Sequence, residues 1–230
     1  MDKQGLVTSD MAGQLRDYQM TYARPAAETE TCKHEESGYG VSLAEVVRRV
    51  KPTMLIGTST AAGSFTEAIV KDMAAHTERP IIFALSNPKA RAEASPADLI
   101  AWTDGRALIA TGGPFAPVTY KGVTYVVAQL NNAMLYPGLA LGAIVSRASR
   151  ISDGMLASAA SAVSSLVTVR QTGASLLPHI DDLRSVSATV AVAVAETADA
   201  EGLAGITSAD IVQQVQDAMW QPEYRRIQAS

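Results

Sequence analysis

The sequence predicts an α/β protein in which part of a doubly wound parallel sheet is followed by a helical carboxy-terminal segment. Three observations predict it. The strand-length apolar runs Thr53 to Gly57, Pro80 to Leu85 and Arg106 to Thr111 do not alternate cleanly with polar residues, the pattern of strands covered on both faces. Helix-opening signals fall between these runs, so that from residue 42 the order is helix, strand, helix, strand, helix, strand. From Pro137 onward the chain reads as helical to its end.

Each element has a local reason. Ser42-Leu43-Ala44-Glu45 is a capping box, in which a serine oxygen and a glutamate satisfy backbone amides at the start of a helix. Ser64-Phe65-Thr66-Glu67 repeats the pattern and predicts a helix with Phe65, Ile69 and Met73 on one face. Ser95-Pro96-Ala97-Asp98 places proline at the first helical position, where no amide hydrogen is needed. Lys121-Gly122, between Val118 to Tyr120 and Val123 to Val127, predicts a two-residue hairpin turn. Gly138 and Gly142 would let a neighbouring backbone approach closely. Ser152 predicts a cap for a helix over 153–168, and Leu183, Val186, Val190 and Val194 form one stripe of a helix over 182–200. Thr207-Ser208-Ala209-Asp210 opens a last short helix, and the polar segment 24–40 reads as a loop. The organisation expected is a sheet domain over 1–127 and a helical region over 128–230.

The composition narrows the function. With 230 residues, 47% hydrophobic and 18% charged, the chain is a well-buried globular protein. A net charge of -4 offers no basic face to nucleic acid or to anionic lipid. The apolar stretch from Ala133 to Val145 is too short to cross a bilayer. A single cysteine, Cys32, rules out an internal disulfide and suits a reducing compartment, so a cytoplasmic protein is expected. No His and Cys cluster has zinc spacing; His34, His76 and His179 are scattered, and His76 and the pair Asp181-Asp182 suit the dipoles of helix ends.

In an open parallel sheet, ligands bind in the crevice outside the carboxyl ends of the strands. The segments there are Gly57-Thr58-Ser59-Thr60, Ser86-Asn87-Pro88 and Gly112-Gly113-Pro114, all small, polar or glycine-rich. Such turns can expose backbone amides to a ligand, or can need these residues for their own geometry. Asn87 stands apart, since an amide held between a strand and a proline offers one donor and one acceptor from a fixed position. Asp2 is an acidic candidate for a ribose, and Asn131-Asn132 is a third point of interest, although adjacent asparagines commonly serve as caps. No complete Gly-x-Gly-x-x-Gly fingerprint follows a strand, so the unit that grips a pyrophosphate is missing.

Leu85-Ser86-Asn87-Pro88, Ala110-Thr111-Gly112 with Pro114-Phe115, Gln129 with Asn131-Asn132, and Tyr136-Pro137-Gly138 occur in an order that resembles malic enzymes and the similar malolactic enzymes. The opening Asp2-Lys3-Gln4-Gly5-Leu6 resembles the family segment after its second Rossmann strand, and Trp220-Gln221-Pro222-Glu223-Tyr224 resembles the family's carboxy-terminal stretch. The resemblance implies a partial Rossmann-like NAD-binding domain and oxidation of malate followed by decarboxylation to pyruvate. Hydride would pass from C2 to NAD, with NADP not excluded. Polarisation of the ketone by Mg or Mn would then let carbon dioxide leave. It also implies that Asn87, Asn131 and Asn132 contact malate or the nicotinamide end, that Asp2 holds the adenosine ribose, and that Gly57, Thr58 and Ser59 lie along the cofactor. Nothing here matches the family's tyrosine acid, lysine base, substrate arginine or metal carboxylates, so no catalytic or metal-ligating residue is expected on this chain.

The sequence departs from the usual pattern at Lys89, Gly113 and Leu130, where threonine, serine and glycine are common. Gly57-Thr58-Ser59-Thr60 is nearer to malolactic enzymes, which make lactate, whereas Pro114-Phe115 and Ser149-Arg150-Ile151-Ser152-Asp153 are nearer to malic enzymes. The chain is expected to be a piece of a longer homo-oligomeric enzyme, a dimer or tetramer, inactive alone. A non-catalytic interaction module is the alternative from a different class, because a sheet lacking its first strands presents an unpaired edge.

Overall fold

The computed structural model describes residues 1–2, 5–32, 40–169, 171–207 and 209–221. Lys3, Gln4, His34, Gly38, Ser208 and the stretch Pro222-Glu223-Tyr224 therefore lie outside the described residues. The chain divides into two compact units, Met1–Val127 and Ala128–Ser230.

The first unit is an α/β unit. A short helix α1 (Asp17–Met20) precedes α2 (Leu43–Val50), β1 (Met54–Gly57), α3 (Glu67–His76), β2 (Ile81–Ala84), α4 (Pro96–Trp102), β3 (Leu108–Thr111) and the strands β4 (Val118–Tyr120) and β5 (Val123–Tyr125). The three strands β1, β2 and β3 run parallel in that order, with Leu55 opposite Ile82 and Ile82 opposite Ile109. Those three residues join Val47, Ile69, Val70, Met73, Leu99 and Ile100 in one core. Burial of such side chains stabilises by about 1.5–3 kcal/mol each. Coverage is uneven, however. Met54 and Ile56 on β1 remain 47% and 53% exposed, because the core gathers on the Leu55 face and β1 is the outermost strand.

The caps follow the sequence with one shift. Ser42 accepts from the Glu45 amide at 3.3 Å, and Ser95 accepts from the Asp98 amide at 3.2 Å. For α3 the cap is Thr66, not Ser64, and the helix opens at Glu67. Phe65 is thus not on the helix face but just ahead of it, buried, with its amide bonded to the Glu93 carbonyl at 3.0 Å. It occupies the position before the cap and Val70 the fourth helical position, and both lie in the same core, as a hydrophobic staple requires. The hairpin turn forms at Lys121 and Gly122, both with positive φ (48° and 80°), which matches the twist of β4 and β5.

The second unit opens with β6 (Ala128–Gln129) and continues as α5 (Tyr136–Val145), α6 (Asp153–Ser165), α7 (Leu183–Ala200) and α8 (Ile211–Ala218). The helix expected over 153–168 ends at Ser165. Ser152 caps α6 and Asp210 caps α8, each accepting an amide hydrogen at 3.1 Å and 3.0 Å. Val186, Val190 and Val194 of α7 are buried against Met134, Leu139, Met155 and Val163. The absence of side chains at Gly138 and Gly142 of α5 lets α7 come close. A Cβ at Gly138 would lie 2.6 Å from the Ser187 carbonyl oxygen, and one at Gly142 would lie 2.5 Å from that of Ala191. Among the described residues no helix is long and apolar enough to cross a membrane.

Gly142→Ala tests this packing. Alanine gains about 1 kcal/mol in helix propensity over glycine, but the backbone clash costs about 1–3 kcal/mol, to which lost α5–α7 packing adds. The expected result is a lower denaturant midpoint with an unchanged slope.

Candidate functional site

The segments after β1 and β2 are bound to each other, and the group that binds them is a buried carboxylate. Glu93 is fully buried, yet it belongs to no helix or strand. Its Oε1 accepts from the Ser59 amide and the Ser59 hydroxyl, each at 2.8 Å, and from the Ser86 hydroxyl at 2.5 Å. Its Oε2 accepts from the Ser86 amide at 3.3 Å.

Both serines act as relays. The Ser86 oxygen accepts from the Thr60 amide at 2.8 Å, and the Ser59 oxygen accepts from the Ala61 amide at 3.1 Å. Each hydroxyl has one hydrogen, and with an amide pointing at its oxygen that hydrogen goes to Glu93. The carboxyl is therefore surrounded by donors and belongs there as an anion. Burial pushes its pKa up, but the hydrogen bonds from Ser86 and Ser59 outweigh burial and hold it below the ordinary 4.5. Among the described residues no arginine, lysine or histidine forms an ion pair with it.

This arrangement explains Gly57 and Thr60. A Cβ at Gly57 would lie 2.5 Å from the Glu93 Cδ and 2.8 Å from the Phe65 ring, so only glycine fits above the carboxylate. Thr60 has φ of 56°, a left-handed conformation costly for a β-branched residue, about 1–3 kcal/mol, and its amide hydrogen bond to Ser86 holds it there. Of the two readings open for this turn, the amides are spent internally: those of Ser59, Thr60 and Ala61 all point at Glu93 or at its serines. A buried anion collects the donors nearest to it.

The exposed side chains of Thr58 and Asn87 remain toward solvent. Among the described residues the Asn87 amide makes no hydrogen bond within the protein, so its donor and acceptor are free for a ligand. The Asn87–Pro88 peptide is cis. Gly112 lies hard against the Leu85 carbonyl, where no Cβ could stand. A Cβ at Gly113 would come within 3.1 Å of the Asn87 Oδ1 and 3.4 Å of the Lys89 Cγ, so two of the positions that depart from the usual pattern sit together beside Asn87. Lys89 also places its ammonium 5.1 Å from the Phe115 ring centre, at a cavity of about 230 Å³ that Phe65, Ser95 and Trp102 help to line.

The other candidates are held separately. Asp2 forms an antiparallel bridge with Gly5, and its carboxylate accepts from the Gln19 side chain. In the second unit Asn131 caps the short turn Asn132–Met134, accepting from the Ala133 amide at 2.9 Å, while Asn132 is exposed. Glu93 was not among the residues singled out by sequence. Its signal was faint: a lone charge between Ala92 and Ala94, just ahead of the capping Ser95. Among the described residues no group of three or more His, Cys, Asp or Glu gathers to hold a metal.

A parallel α/β sheet whose crevice presents a free asparagine amide and a glycine-rich turn is the frame of a nucleotide-binding domain. The sequence profile of the malic enzyme NAD-binding domain matches residues 1–199, and the chain belongs to the malic enzyme family. It is 54% identical over 229 residues to NAD-dependent malic enzyme 3 of Bacillus subtilis, covering 100% of this chain and 40% of that protein. It is 46% identical to the NAD-dependent malic enzyme of Aeromonas salmonicida, covering 98% of this chain and again 40% of the relative. Among solved structures, the malic enzyme of Entamoeba histolytica matches with a TM-score of 0.67 and 25% identity, over 94% of this chain and 40% of that one. The malic enzyme of Pyrococcus horikoshii shares the fold at a TM-score of 0.65 and 22% identity, over 90% and 42%. The chain spans about 40% of the length of the curated relatives it matches.

The depressed pKa of Glu93 has a consequence for stability. A carboxyl whose folded pKa lies below its unfolded value stabilises the fold above the unfolded value, and the contribution fades as pH falls through the folded one. Thermal midpoints are expected to fall as pH drops below 4.5, the ordinary value for this group. In Glu93→Gln this part of the acid dependence should disappear, and the midpoint should be lower at neutral pH.

Proposed function

We propose that this chain is the carboxy-terminal, NAD-binding part of a malic enzyme that oxidises malate and decarboxylates it to pyruvate, with NAD and a divalent metal, Mg or Mn. The observation that carries the reading is the chain-long similarity to proteins named NAD-dependent malic enzymes. When bound, NAD supplies the hydride acceptor and the metal supplies a Lewis acid. The metal ligands and the acid and base belong, in this reading, to the remaining length of the protein. The preference for NAD over NADP rests on the relatives' names, and the reading includes a cytoplasmic homo-oligomer, a dimer or tetramer.

This chain's part is to bind and to orient. Asn87 offers its amide N–H to a carboxylate or carbonyl oxygen and its carbonyl oxygen to a hydroxyl or amide donor. Held by Ser86 on one side and Pro88 on the other, it contributes binding with little ordering cost. Thr58 and the Gly57 turn lie along the cofactor, Asp2 takes the ribose hydroxyls, and Asn131 and Asn132 bind the substrate. Direct conversion of malate to lactate is the second reading, favoured by the likeness of Gly57-Thr58-Ser59-Thr60 to malolactic enzymes.

Two measurements test the proposal. The full-length protein, given malate, NAD and Mn, should form pyruvate and NADH in equal amounts; lactate without NADH would establish the second reading instead. The 230-residue chain alone should turn over no malate, and steady product formation by it would contradict the division of labour. Asn87→Ala in the full-length protein should lower kcat/KM for malate about 10- to 100-fold, the worth of one or two lost hydrogen bonds at roughly 1–3 kcal/mol.

A further inference from the structure

Glu93 holds more than structure requires. A buried carboxylate is costly unless it is satisfied, and an apolar side chain, with the donors around it replaced as well, could close the same space without that cost. Here the charge is retained, fed by four donors, and left without an ion-pair partner among the described residues. It lies directly beneath Gly57. It also ties Ser86, the residue before Asn87, to the turn that carries Thr58. Its donors include amides that could otherwise have met a phosphate. The floor of this crevice is therefore negative, with its nearest amides turned inward. That arrangement repels an anionic group and attracts a cationic one.

We propose that Glu93 is a positioning residue with a second role: it pins the Asn87 turn to the Thr58 turn, and its charge makes the crevice prefer the oxidised, cationic nicotinamide to the reduced, neutral one. The proposal rests on the reading of this crevice as the nicotinamide side of an NAD site. It requires no change in the protonation of Glu93 during turnover. The serine relays fix the carboxylate from below, so its field acts on whatever ring lies above the Gly57 turn.

The test compares NAD and NADH binding to the full-length protein in the absence of malate, by calorimetry for NAD and by nucleotide fluorescence for NADH. In Glu93→Gln, which keeps size and loses charge, the affinity for NAD relative to NADH should fall about three- to tenfold. An unchanged ratio, whether both affinities hold or both fall together, would overturn the role of the charge. Ser86→Ala keeps the charge, removes the hydroxyl half of the link to Asn87 while the backbone amide of residue 86 stays on Glu93, and serves also if Glu93→Gln does not fold. Its NAD to NADH ratio should stay at the wild-type value, while KM for malate rises about tenfold. A shifted ratio or an unchanged KM in this variant would overturn the proposal. If the wild type binds both nucleotides but consumes no malate, the proposed reaction fails, and the charge preference still stands or falls on the ratio.

Discussion

A carboxylate taken out of water must be supplied with hydrogen-bond donors, and in this protein the donors of Glu93 come from the two turns that form the crevice. That requirement orders the site. It explains why residue 57 is glycine, why Ser59 and Ser86 are serines, and how Thr60 is held in a left-handed conformation. The turns after β1 and β2 are thereby one hydrogen-bonded object instead of two loops. Asn87 inherits its position from that object, since Ser86 is fastened through both its amide and its hydroxyl.

The helical unit meets a different constraint with the same economy of space. Its helices are rich in alanine, glycine and serine, and close approach replaces large side chains as the source of contact. Gly138 and Gly142 lie against the backbone of α7 at Ser187 and Ala191, while the valines of α7 fill the grooves that remain. Dispersion between closely packed backbones then contributes what bulky residues contribute elsewhere. Ser158 and Thr197 direct their hydroxyls to the same Ala193 carbonyl, at 3.0 Å and 2.8 Å, so these polar groups do not disturb the interface.

The sequence by itself determined the parts whose causes are local. Apolar runs of four to six residues are strands wherever their neighbours cover them, and Ser42, Ser95 and Ser152 cap helices because the amides they bind lie within three residues. The turn at Lys121-Gly122 needs only its own positive φ angles. The ordered motifs around Asn87, Asn131 and Tyr136 were enough to indicate the family, because they are stretches of contiguous residues. The cap of α3 lies at Thr66, which accepts from the Ile69 amide, while Phe65 ahead of it is buried in the core with its amide on the Glu93 carbonyl, a contact made by a distant segment.

What only the tertiary structure decided is the wiring of the crevice. Glu93 is 34 residues from Ser59 and 7 from Ser86, and all three stand outside helices and strands, so no periodicity in the chain announces that they meet. Turn composition left the amides of the Thr58 turn open to a ligand or to the turn's own geometry, and their actual partners depend on a side chain from another segment. The exposed face of β1 is of the same kind, since apolar residues specify that a surface can be covered and not what covers it. Local propensity is written in neighbouring residues; the burial of one charge is settled only when distant segments supply its donors.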